Sequence, residues 1–244
     1  MKTLILGDIH GLSTWKEIIN QEKDLGRIIF MGDYFDSFDI PGIEQLYNFN
    51  EIIRFKESTE IPVIMLIGNH DHHYMGVGET YSGYQPAMQW DIQHAIKTNL
   101  DHLQIAYKLD DLIFTHAGIS PIWLDNTFGW NGWNKGDVIE KLNDLYKFRP
   151  IAFNFSHGGF SGTGDSTDQG PLWIRPRSLM KSNSGDNGFK KNFIQIVGHT
   201  IQNDIFSSFK TSEKSMGGKY YVVDALHSGG YVIYENGKLT PKEI

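Results

Sequence analysis

An α/β fold built on a parallel sheet is predicted by three features of the sequence. Short apolar runs rich in β-branched and aromatic residues alternate with stretches of helical periodicity through the first part of the chain. Each of these runs stops at a glycine. Each glycine is followed by a pair of potential ligands: Asp8 with His10, Asp33 with Asp36, Asn69 with His70. In open α/β sheets the carboxyl ends of the strands are where ligands bind, so the three pairs mark a candidate site.

Thr3–Gly7 reads as the first strand, followed by the loop Asp8-Ile9-His10-Gly11. Ser13 suits a helix N-cap, and Trp15, Ile18 and Ile19 give the helix that runs to Glu22 an inward stripe. Arg27–Met31 is the second strand, apolar along most of its length as a strand covered on both faces should be. Pro41 suits a helix start, and Ile43, Leu46, Tyr47, Ile52, Ile53 and Phe55 recur at helical spacing. Pro62–Ile67 is the third strand, and a helix is expected from Pro86 to about Asn99.

The second half is richer in strands. Leu103–Leu109 and Leu112–Thr115 flank Asp110-Asp111 as a hairpin, and Asp137–Lys147 reads as a helix. Ser156 to Gly170 is polar and glycine-rich with no apolar period, an exposed loop near the site with the character of a lid. Phe193–Val197, Lys219–Val223 and Tyr231–Tyr234 complete the strands, and Asn236-Gly237 is a type I′ hairpin signal. No repeat and no long linker interrupts the sequence, which predicts one catalytic domain over residues 1–244.

With 22 basic against 29 acidic side chains, a net charge of −7, the chain is poorly suited to a broad nucleic-acid-binding face. It has no cysteine, which excludes disulfides, thiolate metal sites and cysteine nucleophiles. Nitrogen ligands must come from its 10 histidines. No segment reaches the roughly 20 apolar residues of a membrane helix. The apolar run before Asp8 is too short for a secretory signal, and a soluble cytoplasmic protein is expected.

His116 and His199 also follow apolar runs, and join Asp8, His10, Asp33, Asp36, Asn69 and His70 as strand-end candidates. Carboxylate, imidazole and amide donors without sulfur suit Mn, Fe or Zn. A carboxylate has two oxygens, and Asp33 is expected to bridge two cations. At a spacing of about 3.5–4 Å such a pair acidifies a shared water, yielding hydroxide for in-line attack on phosphorus.

Gly7-Asp8-Ile9-His10-Gly11, Gly32-Asp33-Tyr34-Phe35-Asp36, Gly68-Asn69-His70-Asp71, His116-Ala117-Gly118-Ile119 and Gly198-His199-Thr200 resemble the ordered signature of calcineurin-like metallophosphoesterases. They look most like the branch that contains the PPP serine/threonine phosphatases and the bacterial diadenosine tetraphosphatases. The resemblance implies an α/β/β/α sandwich of two mixed sheets flanked by helices. It implies that Asp8 and His10 bind the first of two divalent metal ions, that Asp33 bridges, and that Asn69, His116 and His199 bind the second. Mn2+ is the expected ion, with Fe or Zn also fitting. His70 would be the general acid, held and charged by Asp36, since an adjacent carboxylate raises an imidazole's pKa.

Ile201 stands where the diesterase and nuclease branches usually carry a second histidine, which favours the phosphatase-like branch. Ser37 stands where the phosphatases have a phosphate-gripping arginine, and Asp71 where they have glutamate. Arg175 and Arg177, in a segment resembling the family's Trp-containing one, are the candidates to replace that grip. The expected activity is hydrolysis of phosphomonoesters, either phosphoserine and phosphothreonine of proteins or small molecules. The alternative is a dinucleoside polyphosphate hydrolase, suggested by Ser120-Pro121 and Trp123 after the His116 block. A non-catalytic binding module on the same scaffold is the reading from another class, and the intact ligand types in all five blocks speak against it.

His72 and His73 read as surface turn residues, and His157 as a weaker rival of His116 because no apolar strand precedes it. Asp224 and His227 read as a turn between strands, and Trp130 and Trp133 as packing residues.

Overall fold

Two facing sheets with helices outside them make four layers, and the ends of their strands meet along one edge. The computed structural model describes residues 1–157, 165–184, 189, 193–215 and 217–244. The first sheet has a parallel core of β1 (Lys2–Leu6), β2 (Leu25–Phe30), β3 (Val63–Leu66) and β4 (Leu103–Gln104). The second holds β5 (Ala106–Leu109), β6 (Leu112–Thr115), β7 (Ile194–Val197) and β8 (Tyr220–Val222) in that order, with β6, β7 and β8 parallel. Two late strands, β9 (Gly230–Glu235) and β10 (Lys238–Glu243), extend the first sheet to the order β10-β9-β1-β2-β3-β4. Both sheets are mixed, because β9 runs antiparallel to β1 and β5 antiparallel to β6.

Alternation along the strands sets the layers. Ile5, Ile29, Leu66 and Val232 of the first sheet share one buried cluster with Phe114 and Ile196 of the second, the core between the sheets. Their neighbours Leu4, Leu6, Ile28, Phe30 and Met65 face the other way, onto α1 (Thr14–Gln21), α2 (Gly42–Ser58) and a helix at Gln89–Thr98. At eight residues α1 is below the roughly 12–15 that an isolated helix needs in water. It is held by burying Trp15 and Ile18, each worth about 1.5–3 kcal/mol. Between β3 and that helix lies α3 (Asn69–His72), which makes the helix at Gln89–Thr98 α4. The second half adds α5 (Pro121–Phe128), α6 (Val138–Phe148), α7 (Pro176–Ser182) and α8 (Ile205–Ser215).

Several expectations are corrected. In α2 the inward face is Gln45, Asn48, Phe49, Ile52 and Ile53, whereas Ile43 and Tyr47 are exposed. Gln45 and Asn48 are buried because they tie loops: Gln45 bonds Ser37 and Ile40, and Asn48 bonds Trp15 and Leu12. Leu103–Leu109 is not one strand but two, split at Ile105 between the sheets. Asn143 of α6 makes the break possible. Its Oδ1 accepts from the Ile105 and Ala106 amides at 2.9 and 3.0 Å, and its Nδ2 donates to the Ala106 carbonyl at 2.9 Å. Ser13 starts α1 without a side-chain cap. His72 and His73 are buried, not on a surface turn. Trp133 packs on Phe189 as expected, but Trp130 is exposed. Part of the expected glycine-rich loop, residues 158–164, lies outside the described residues. No described helix is long and apolar enough to cross a membrane.

Candidate metal centre

Six parallel strands deliver residues to one edge. Just beyond β1, β2 and β3 stand Asp8, Asp33 and Asn69; just beyond β6, β7 and β8 stand His116, His199 and Asp224. They surround a cavity of about 590 Å³ whose lining includes Asp8, His10, Asp33, Asn69, His70 and His199, with the fully buried His116 behind them. The loops are tightly braced. The His10 amide donates to the Asp33 carbonyl at 2.6 Å, and the His199 amide to both Asp8 oxygens at 3.1 and 3.0 Å. Buried Asp71 accepts from the amides of Asp33, Tyr34 and Gly68 at 2.9, 2.7 and 2.8 Å, joining the loops after β2 and β3. This bracing holds His10, Asp33, Asp36 and His199 at positive φ, a region that costs a non-glycine residue about 1–3 kcal/mol.

The ring orientations leave lone pairs pointing inward. Nδ1 of His10 donates to the Phe35 carbonyl at 2.6 Å, and Nδ1 of His116 to the Met31 carbonyl at 2.9 Å. Nε2 of His199 donates to the Trp173 carbonyl at 3.1 Å. A carbonyl can only accept, so the other nitrogen of each neutral ring is an acceptor facing the centre. There, Asn69 Oδ1 lies 2.9 Å from His116 Nε2 and 2.8 Å from His199 Nδ1. Asp33 Oδ2 lies 3.3 Å from His116 Nε2 and 3.8 Å from His10 Nε2, between the two groups. Lone pairs this close repel unless a cation or a proton sits among them. Donor atoms held at about 2.0–2.2 Å by one ion are themselves about 3 Å apart, so this spacing fits shared cations.

Electrostatics agrees. Burial, then the charges of Asp224 and Asp33, push the Asp8 carboxyl well above its ordinary range. Burial opposes a charge on Asp33 as well, but His116 and His70 hold its carboxyl well below that range. In the protein alone a proton fills the gap: against the pull of burial, Asp33 and Asp8 drive His116 up to about 9. Burial, with His116 and Arg175, pushes His199 well below its usual value, the neutral form a ligand needs. A Cβ on Gly68 would collide with the Asp33 carboxylate and one on Gly198 with that of Asp8, so these glycines keep the pocket open. The residues present fit divalent cations.

Beside this centre Nδ1 of His70 is 2.9 Å from Asp36 Oδ2, and the Tyr74 hydroxyl donates to Asp36 Oδ1 at 2.6 Å. Burial disfavours the imidazolium, yet Asp33 and Asp36 raise His70 to about 9. Arg175 lines the cavity and donates to the His199 carbonyl at 2.8 Å, while Arg177 sits exposed on α7 and does not line it. Ser37 caps its own turn, its Oγ accepting from the Asp39 and Ile40 amides. His157 is exposed and pairs with Glu79, away from the cavity. Four residues were missed, among them His227, which reads as a turn residue in the sequence and lines the cavity. Asp71 and His73 are buried supports, and Asp224 lines the cavity in place of the expected turn. The signal for Asp224 was present: Tyr220-Tyr221-Val222-Val223 is an apolar run that ends on an acid, like those before Asp8 and Asp33.

Two mixed sheets flanked by helices, with oxygen and imidazole donors at their strand ends, define the architecture of a metallophosphoesterase. The chain belongs to the calcineurin-like phosphoesterase family, whose model matches residues 1–203. It is 28% identical over 136 residues to a protein from Methylobacillus flagellatus named symmetrical bis(5'-nucleosyl)-tetraphosphatase, a match covering 50% of this chain and 45% of that one. A protein of the same name from Vibrio campbellii is 28% identical over 133 residues, covering 50% and 47%. The chain thus spans about half the length of these relatives. Among solved structures, a protein serine/threonine phosphatase from Saccharomyces cerevisiae with similarity to human phosphatase PP5 superposes with a TM-score of 0.58. The likeness covers 100% of this chain and 80% of that one at 14% identity, and shows the fold.

Proposed function

We propose that the protein is a metal-dependent phosphoester hydrolase that cleaves phosphomonoesters, those of phosphorylated proteins or of small molecules. The observation that carries this reading is the inward convergence of lone pairs from Asn69, His116, His199 and Asp33, next to an imidazole already oriented by a carboxylate. Asp8, His10 and Asp33 would hold one cation, and Asn69, His116 and His199 with Asp33 the other. Such ions, Mn2+ by preference and Fe or Zn by donor type, supply positive charge for phosphoryl oxygens and lower the pKa of water.

The chain's own residues do the rest. Asp36 takes Nδ1 of His70, which leaves Nε2 as the N–H that can protonate the departing oxygen. Arg175, anchored on the His199 carbonyl, has further N–H groups for a phosphoryl oxygen. Among the described lining residues Arg175 is the one Lys or Arg side chain, against Asp8, Asp33, Asp36, Asp39 and Asp224. A single phosphate suits that balance better than a polyphosphate chain.

The second reading, hydrolysis of a dinucleoside polyphosphate, is favoured by the names of the two relatives. Phe38, Tyr81 and Trp173 at the cavity also offer rings on which bases can stack. Turnover of a phosphopeptide, p-nitrophenyl phosphate and diadenosine tetraphosphate by the Mn2+-loaded protein separates the two. The monoesters are expected to dominate. Preference for the dinucleotide by orders of magnitude would overturn the first reading, and no turnover of any of the three would point to a binding module.

A further inference from the structure

Asp224 occupies a ligand's position in the fold. It follows β8 at the same edge of the second sheet where β6 delivers His116 and β7 delivers His199. Its backbone lies against the loop of Asp8: a Cβ on Gly7 would come within 2.9 Å of the Asp224 Cα. The residue is 7% exposed and lines the cavity with Asp8, His10 and Asp33. No hydrogen bond or ion pair joins its carboxylate to any described residue. A carboxylate buried without a partner is costly, and its neighbours here include two more acids. The partner it lacks is a cation.

The ligand atoms of Asp8, His10 and Asp33 lie within 4.8 Å of one another in a group that does not include Asp224. That sets it just outside the direct ligands. We infer that Asp224 is a positioning residue, supplying from that distance the additional negative charge that secures a divalent cation at the Asp8–His10–Asp33 position. The inference rests on the reading of those residues as cation ligands.

Calorimetric titration of EDTA-stripped protein with MnCl2, with elemental analysis after gel filtration, tests it. Wild type is expected to take two Mn2+ per chain. Asp224→Asn should weaken one of the two binding constants about tenfold or more, the effect of removing a unit negative charge a few ångströms from a divalent ion. Asp224→Glu, which keeps the charge, should restore it to within a few-fold. Asp39→Asn removes an exposed acid from the same cavity and should leave both constants unchanged. The metal-free Asp224→Asn protein should melt at or above wild type, since it loses a repelling charge; a purely structural residue would behave in the opposite way. Unaltered Mn2+ constants in Asp224→Asn, equal weakening in Asp39→Asn, or a lowered metal-free melting point each overturn the inference while the cation reading stands. A wild type that takes up no Mn2+ overturns both.

Discussion

Nδ1 of His70 and Oδ2 of Asp36 are 2.9 Å apart, and the same oxygen lies 2.6 Å from Nε2 of His73. The carboxylate is held from behind by the Tyr74 hydroxyl, which donates to its other oxygen at 2.6 Å. If His70 is the general acid, His70→Ala should keep its metals and lose about 10²–10⁴ in rate on a substrate with a poor leaving group. An undiminished rate on such a substrate would remove His70 from that role. The acid must be protonated, so activity should fall as pH rises through the His70 pKa. That alkaline limb should lie at about 9 or below, because cations on Asp33 take away part of the field that raises His70. It should be absent from the His70→Ala profile.

Asp33 stands between both groups of candidate ligands, and Asp33→Asn is expected to lose cation binding and hydrolysis together. Elemental analysis and rate, measured on the same sample, check this; a variant with full metal content and full activity would contradict the bridging role. Removal of metal from wild type should lower the melting temperature, since the buried carboxylates of Asp8, Asp33 and Asp224 then repel one another without cations among them. Added Mn2+ should restore the stability, by about 2.7 kcal/mol at a hundred times its dissociation constant.

Asp71 should matter for folding more than for chemistry. Its two oxygens satisfy three buried amides, and in Asp71→Asn at least one of them would face an NH2 group. The expected cost is about 1–3 kcal/mol. For a chain of this size that is a drop of about 2–10 °C in melting temperature, read by calorimetry. A variant as stable as wild type would show that the amides find other acceptors.

Glu22 should contribute to acid sensitivity from outside the site. Lys2 and Lys242 lie 2.5 and 2.6 Å from its oxygens, and the Tyr231 hydroxyl donates at 2.8 Å. Burial opposes its charge, but these three bonds lower its pKa from 4.5 to about 2. A depressed carboxylate stabilises the fold above its unfolded value and loses that contribution as pH falls, here between about 4.5 and 2. With partly exposed lysines the contribution is about 1–2 kcal/mol after screening. Glu22→Gln should therefore be less stable at neutral pH and flatter in stability across that acid window, by denaturant melts. An unchanged slope would assign the acid response elsewhere.

What could be read from the sequence was local. An apolar run, a glycine and then a ligand type announced Asp8, Asp33 and Asn69, because a parallel strand must be apolar and its end must turn. Features that depend on what a distant segment presents were hidden. Asp71 is adjacent to His70 in sequence, but its role is set by amides of the loop after β2. The inward face of α2 follows the loops that Gln45 and Asn48 must tie, and apolar periodicity put Ile43 and Tyr47 there instead. The division of Leu103–Leu109 depends on Asn143, which arrives from α6. His73 reads as a polar turn residue until the short helix after Asn69 brings it against Asp36.

The pairing of β1 with β9, Leu4 opposite Ile233, has a consequence for biosynthesis. A chain made from its amino end emits the Asp8 strand early and the strand that flanks it on one side very late. Until β9 has left the ribosome, β1 has an open edge on that side. Contacts that span most of the sequence also form slowly. An unpaired strand edge is a template for pairing with another chain, and β9 is the strand that covers this one.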